Sequence, residues 1–199
     1  MREVGACTVR PVLLPDDRDG ILALDRSFTT DRVYRIVRTP QSFALAEVIA
    51  QSPVRKDFPL EADLAEGRVW EKGLVAEHDD LIVGFAAFTH QRWNRRTELW
   101  HLYVAAQVRR QGVGRALVEA VIAAAEDAGM RCVWLETSNL AYPAIQFYRR
   151  MGFELCGLDV SLYDPAGPGA GETALYFARP LPDARAAGRR RRSVGGTTT

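Results

Sequence analysis

The stretch ELWHLYVAAQVRRQGVGRALVEAVIAAAEDAGMRCVWLET, residues 98–137, decides the fold. Its first seven residues, Glu98 to Val104, are rich in aromatic and branched side chains, the composition of a strand. From Gly112 to Ala128, Val113, Leu117, Val121 and Ala124 recur on one stripe of a helix, and Gly129 stands where a left-handed cap belongs. RCVWLET, 131–137, is a nearly continuous apolar strand. Strand, helix and strand in this order predict one parallel crossover of right-handed chirality.

The chain reads outward from that unit. LVAEH (74–78), the turn Asp79-Asp80 and LIVGFAAFTH (81–90) predict a hairpin that leads into the strand at 98–104. Downstream, a helix begins near Pro143, carries Ile145, Tyr148 and Met151 on one face and stops at Gly152. Strands at 153–163 and 172–180 follow, separated by the Gly/Pro-rich loop DPAGPGAG, which is either mobile or folded over a ligand. In the first third, Asp16 caps a helix bearing Ile21, Leu24 and Phe28, a polar break covers Thr29 to Asp31, and short strands occupy 33–38 and 42–50. The fold class is therefore α/β: a mixed, mostly antiparallel central sheet with one parallel strand-helix-strand crossover and flanking helices.

With 199 residues, 47% hydrophobic and 26% charged, the chain buries one sizeable core, and a single domain over 1–180 is expected. No run approaches the roughly 18 apolar residues of a membrane span, and the opening MREVGACTVR lacks a secretory apolar segment, so the expected setting is cytoplasmic, away from any membrane. Cys7, Cys132 and Cys156 have neither disulfide nor zinc-knuckle spacing, and His78 and His90 sit in no ligand pattern, so no metal is expected. Residues 181–199 lack apolar periodicity and read as a disordered Arg-rich tail. That tail holds Arg185 and Arg189 to Arg192 against one acid, Asp183; without it the 26 basic and 25 acidic residues become 21 and 24. A body near −3 gives no reason to expect nucleic acid and favours a small cationic partner. Monomer and homodimer both fit.

Where the first strand of the crossover hands over to the helix stand Arg109, Arg110, Gln111, Gly112, Val113, Gly114 and Arg115. Unpaired amides at a helix start, the helix dipole and three arginines make an anion site. Leu117 replaces the third glycine of a dinucleotide fingerprint, and the Gly-Lys-Ser/Thr of a nucleotide P-loop is absent, so a different diphosphate is implied. The competing reading is an ordinary glycine-bearing helix start with solvated arginines.

Arg109-x-x-Gly112-x-Gly114, followed one crossover later by Phe147-Tyr148-Arg149-Arg150-Met151-Gly152-Phe153, resembles the GNAT superfamily of acetyl-CoA-dependent N-acetyltransferases. A narrower resemblance, to streptothricin acetyltransferases, rests on several short matches. They are Leu24-Asp25, Ser27 to Thr30, Trp93-Asn94, Leu135-Glu136, Ala144-Ile145, Tyr148 to Phe153, Cys156 to Asp159 and Leu162-Tyr163. The resemblance implies acetyl-CoA as cosubstrate, held along Leu102, Tyr103 and Val104 with its pyrophosphate on residues 110–115, and acetylation of a primary amine on a cationic small molecule. Relatives tend to carry an acidic pair where this chain has Trp100 and His101, and the asparagine commonly found seven residues before the tyrosine is Ala141, leaving Asn139 as the nearest polar substitute.

The resemblance assigns Tyr148 to protonating the departing thiolate. Candidate bases are His101 and Glu98, and on a regular strand these two point to opposite faces. Glu136, Asp159 and Tyr163 are candidates for holding the amine, with Phe28 and Thr29 at the rim. Two rivals stay open: another polyamine, amino acid or peptide amine as acceptor, or a noncatalytic acyl-CoA-binding regulator. Removal of the Arg-rich tail is expected to leave turnover intact in an assay of thiol release.

Overall fold

The computed structural model describes residues 7–65, 68–167 and 169–182. In chain order these form β1 (Thr8–Pro11), α1 (Arg18–Leu22), β2 (Phe28–Arg38), β3 (Phe43–Lys56), a 3-10 turn at Ala62–Leu64, β4 (Lys72–His78), β5 (Leu81–Gln91) and β6 (Arg96–Val104). A second 3-10 turn at Ala106–Val108 precedes α2 (Val113–Asp127), β7 (Cys132–Ser138), α3 (Tyr142–Arg150), β8 (Glu154–Asp159) and β9 (Ala174–Pro180). Seven strands form one sheet in the order β1-β4-β5-β6-β7-β9-β8, while β2 and β3 pair as a separate hairpin. Within the large sheet every neighbouring pair is antiparallel except β6 and β7. The expected mixed sheet with its parallel crossover is present. No helix among the described residues is long and apolar enough to cross a membrane.

Local chemistry explains these elements. Asp79 and Asp80 both adopt positive φ (50° and 59°), the backbone that a two-residue hairpin between β4 and β5 requires. Val113, Leu117, Val118, Val121, Ile122 and Ala125 bury one face of α2 against the sheet, and Gly129, at φ 68°, ends the helix. The opposite face carries α1: a Cβ at Gly20 would meet Ile82 at 2.9 Å.

Two bulges change what the strands present. Ala87 opposes His101 and Phe88 opposes Leu99, so Trp100 is the extra residue of β6. The skip brings Glu98, opposite Thr89, onto the same face as His101, opposite Ala87. This corrects the expectation that the two diverge, which assumed regular alternation. A second shift, between Ala76 and Glu77, skips Val83 on β5.

The first third differs from expectation. The helix α1 has five residues, and Phe28 to Asp31 belong to β2, with Phe28 opposite Lys56. The hairpin is longer than read because pairing resumes after a register shift near Thr30, carrying β3 past Pro53 to Lys56. Both C-terminal strands are shorter than read. Leu181, assigned to the tail, is buried and donates its N–H to the Arg131 carbonyl at 2.9 Å. The rest of the Arg-rich segment, from residue 183, lies outside the described residues.

Contact between α2 and the sheet is close at Gly84 on β5, where a Cβ would meet Leu117 Cδ1 at 2.9 Å, Val113 Cγ1 at 3.0 Å and the Tyr103 carbonyl at 3.3 Å. Gly84→Ala is expected to lower stability by about 1–3 kcal/mol through overpacking, read from urea unfolding.

Candidate active site

The ladder between β6 and β7 runs only from Arg96–Cys132 to Leu99–Leu135. Past that point β6 continues on β5 as far as Val104 and β7 continues on β9 as far as Ser138, so the two parallel strands part and leave a cleft. Tyr148 of α3 is buried at this opening, its ring edge-on to Phe147 and Phe153 at 5.6 and 5.8 Å. Burial pushes its phenol well above the ordinary range, and the charges that act on it come from Tyr103 on β6 and Glu136 on β7, one on each side of the split.

At the far end of β6, Arg110 and Gly112 take positive φ (63° and 95°) and α2 begins at Val113. The first amide to bond within the helix is that of Ala116, to the Gly112 carbonyl at 3.0 Å, so the four amides before it, Gly112 to Arg115, precede the first helical bond. Glycine is required at 112 by conformation alone, since a Cβ there would touch nothing within 4 Å. At Gly114 a Cβ would lie 3.4 Å from the Phe147 ring and 3.5 Å from Val104, so its bare backbone sets how closely α2 approaches α3 and β6. Arg110, Gln111 and Arg115 are exposed around the turn, with Arg115 3.8 Å from Glu119.

Two residues expected here have other work. Arg109 donates from Nε to the Val104 carbonyl (2.9 Å) and from its two terminal nitrogens to the carbonyls of Ser27 (2.7 Å) and Asp25 (3.0 Å). It straps the end of β6 to the segment before β2. The buried Asn139 amide donates to the Tyr34 carbonyl at 2.7 Å and its oxygen accepts the Thr173 N–H at 2.8 Å, which uses its carbonyl and one of its two N–H groups in joining β2 to the start of β9.

On the sheet face away from α2, rings follow one another. Phe28 stacks on Phe58 (6.0 Å), Phe58 meets Tyr103 (5.8 Å), Tyr103 stacks on His101 (5.8 Å), His101 stacks on Phe85 (6.2 Å), and Trp70 meets Phe85 edge-on (5.8 Å). The His101 Nε2 is buried without a hydrogen-bond partner among the described residues, 3.8 Å from Asp63 Oδ2. Burial lowers the imidazole pKa while Asp63 opposes that shift, and burial pushes the Tyr103 phenol up to about 12. Glu98 accepts a bond from Gln91 Nε2 at 3.2 Å.

Beside the split, Tyr163 donates to Glu136 Oε1 at 2.5 Å and Lys56 pairs with the nearly buried Glu172. Burial raises the Glu136 carboxyl, the Tyr163 bond pulls it back down, and Glu172 adds to the rise. The loop after β8 thus folds onto the sheet, with Gly169 packed close on the Tyr163 ring. Asp159 is committed differently: its Oδ1 accepts both the N–H and the hydroxyl of Ser161 at 2.7 Å. Thr29 is exposed on β2, opposite Arg55. Lys56, Phe58, Asp63 and Trp70 were not legible as site residues, because none lies in a motif and each arrives by tertiary packing of a loop or strand end; Glu172 lies in a stretch that continues the resemblance, but its pairing with Lys56 was not legible.

The family model described as the acetyltransferase (GNAT) family matches residues 33–153. A streptothricin acetyltransferase of Streptomyces lavendulae is 39% identical over 175 residues, 84% of this chain and 92% of that protein. One from Escherichia coli is 26% identical over 165 residues, 83% and 92% of the respective chains. Among solved structures, a nourseothricin acetyltransferase superposes with a TM-score of 0.80 at 41% identity, covering 89% of this chain and all of that one. A Bacillus anthracis protein solved in complex with acetyl coenzyme A shares the fold at 22% identity and a TM-score of 0.73, covering 88% and 100%.

Because the Tyr163 bond holds the Glu136 carboxyl down against burial, Tyr163→Phe is expected to move the Glu136 titration to higher pH. Carbon-13 NMR of the glutamate carboxyls reads this directly.

Proposed function

The chain belongs to the GNAT family of acetyltransferases, and we propose that it transfers the acetyl group of acetyl-CoA to a primary amine of a streptothricin-type cationic antibiotic. The observation that carries this reading is the opening of the parallel ladder past Leu99 and Leu135 onto the buried phenol of Tyr148. Likeness over 84% of the chain to a streptothricin acetyltransferase supports the acceptor class.

The residues present suit the cosubstrate. Acetyl-CoA supplies an activated thioester and a diphosphate; the amides of Gly112 to Arg115, with Arg110 and Arg115 exposed beside them, suit the diphosphate, and the parted backbone of Leu102 to Val104 suits an extended chain. Arg109 is reassigned from phosphate binding to holding the turn in place.

An ammonium of ordinary pKa near 10.4 is neutral in only about one molecule in 2,500 at pH 7, so proton removal needs a base. His101 takes this role: burial keeps its imidazole neutral near pH 7, and its ring stands in the aromatic row beside the split. Glu98 shares that face and is the second candidate. Tyr148 stays protonated throughout the working range and donates to the departing sulfur. The same burial that raises the phenol also disfavours an unprotonated thiolate, so the two groups shift together and transfer remains feasible. Glu136 and Tyr163 hold a remaining ammonium group of the acceptor, with Phe28 and Phe58 as an apolar wall, while Glu172 stays in its pair with Lys56.

Thiol release on mixing the protein with acetyl-CoA and streptothricin is the expected result. Release with other amines only, or coenzyme A binding without release, overturns the proposal. Tyr148→Phe is expected to lower kcat roughly 10- to 100-fold while leaving the acetyl-CoA dissociation constant by calorimetry within about twofold. Undiminished turnover removes the acid role.

A further inference from the structure

We propose that Asp63 is a positioning residue for His101: it keeps the imidazole proton on Nε2, leaves Nδ1 as the basic nitrogen, and stabilises the imidazolium formed when the acceptor ammonium gives up its proton. The inference rests on the reading of His101 as the base. Asp63 reaches the imidazole from a different element, the 3-10 turn at Ala62–Leu64.

The geometry that brings it is specific. Asp63 lies in the 3-10 turn Ala62–Leu64, whose neighbours Leu60 and Leu64 are buried in the core. Trp70 Nε1 donates to the Asp63 carbonyl at 2.8 Å, and the Trp70 ring packs on Phe85, which stacks on His101. The backbone of Asp63 is therefore fixed to the same aromatic row as the imidazole, while its carboxylate is 40% exposed. Its Oδ2 stands 3.8 Å from a buried Nε2 that has no hydrogen-bond partner among the described residues, too long for a full hydrogen bond and close enough to become one as the ring gains charge.

The surroundings select this carboxylate. Among the described residues, the titratable groups on the face of His101 are Asp63 from the 3-10 turn, and Tyr103 and Glu98 from its own strand; Arg26, whose charge bears on Tyr103, is engaged by the carbonyls of Phe58, Ile21, Leu22 and Leu24, and β5 contributes Phe85 and Ala87, which carry no charge. Tyr103 is neutral in the working range, and Glu98 is engaged by Gln91. In the reaction one proton moves from the acceptor ammonium to Nδ1, the freed nitrogen lone pair forms the new bond to the acetyl carbon, and the carbon–sulfur bond breaks with its electron pair going to sulfur; Tyr148 protonates that sulfur, and the second proton lost by the nitrogen restores the phenol. The charge left on the imidazolium is then balanced by Asp63.

The test compares pH profiles of kcat/KM for Asp63→Asn, Asp63→Glu and His101→Gln with the wild type, using acetyl-CoA and streptothricin. Asp63→Asn keeps the shape of the side chain and the backbone bond to Trp70. It is expected to lower kcat/KM about tenfold at pH 7. Its acid limb should move to lower pH, because loss of the carboxylate removes the influence that opposes burial. Asp63→Glu should restore much of the wild-type profile. His101→Gln should abolish that limb, and if the limb persists the base assignment itself fails. A limb lost in His101→Gln but unmoved in Asp63→Asn refutes the role of Asp63 alone. Nitrogen-15 NMR of the imidazole is a second readout: the wild type should show the proton on Nε2, and a proton on Nδ1 refutes the proposal.

Discussion

Hydrogen bonding between two parallel strands that stops after four rungs is the constraint on which the molecule turns. A sheet normally satisfies every backbone donor and acceptor along its strands, and an interruption inside it leaves polar groups facing a gap. In this chain the gap is held open from three sides. The sheet is continued on β5 and on β9, so neither strand can lean across to close it. Helix α3 places Tyr148 and Phe147 at its mouth, and α2 approaches closely because position 114 lacks a side chain.

The two ends of the gap have opposite electrical character. At the start of α2, unbonded amides and exposed arginines surround the turn. Away from that turn, Glu136 stands with Glu172, which Lys56 offsets, and Asp63 stands beside His101. A reaction between an anionic carrier and a polycationic amine needs both, separated so that each partner is steered to its own side. Burial then works on His101 and Tyr148: it lowers the imidazole and raises the phenol, favouring the neutral forms that the proposed base and acid require.

The parts legible in sequence are those written in local chemistry. The hairpin at Asp79-Asp80, the crossover, and the glycines at 112, 129 and 152 follow from turn geometry and helix period, and each occurs where expected with positive φ. Side-chain direction on β6 was not legible, because a bulge leaves no mark in a run such as Glu98 to Val104 and reverses the alternation past Trp100. Arg109 and Asn139 look like ligand-binding residues by type and position, yet apart from the Val104 carbonyl their partners are carbonyls and an amide more than 30 residues away, which only the folded chain brings near. The same holds for Asp63, whose place depends on Leu60, Leu64 and Trp70 entering the core.

The guanidinium of Arg109 joins three carbonyls, one at the end of β6 and two just before β2. Because a single charged group closes all three contacts, neither segment can shift without bending or breaking a bond to the other, and the two are located as one piece.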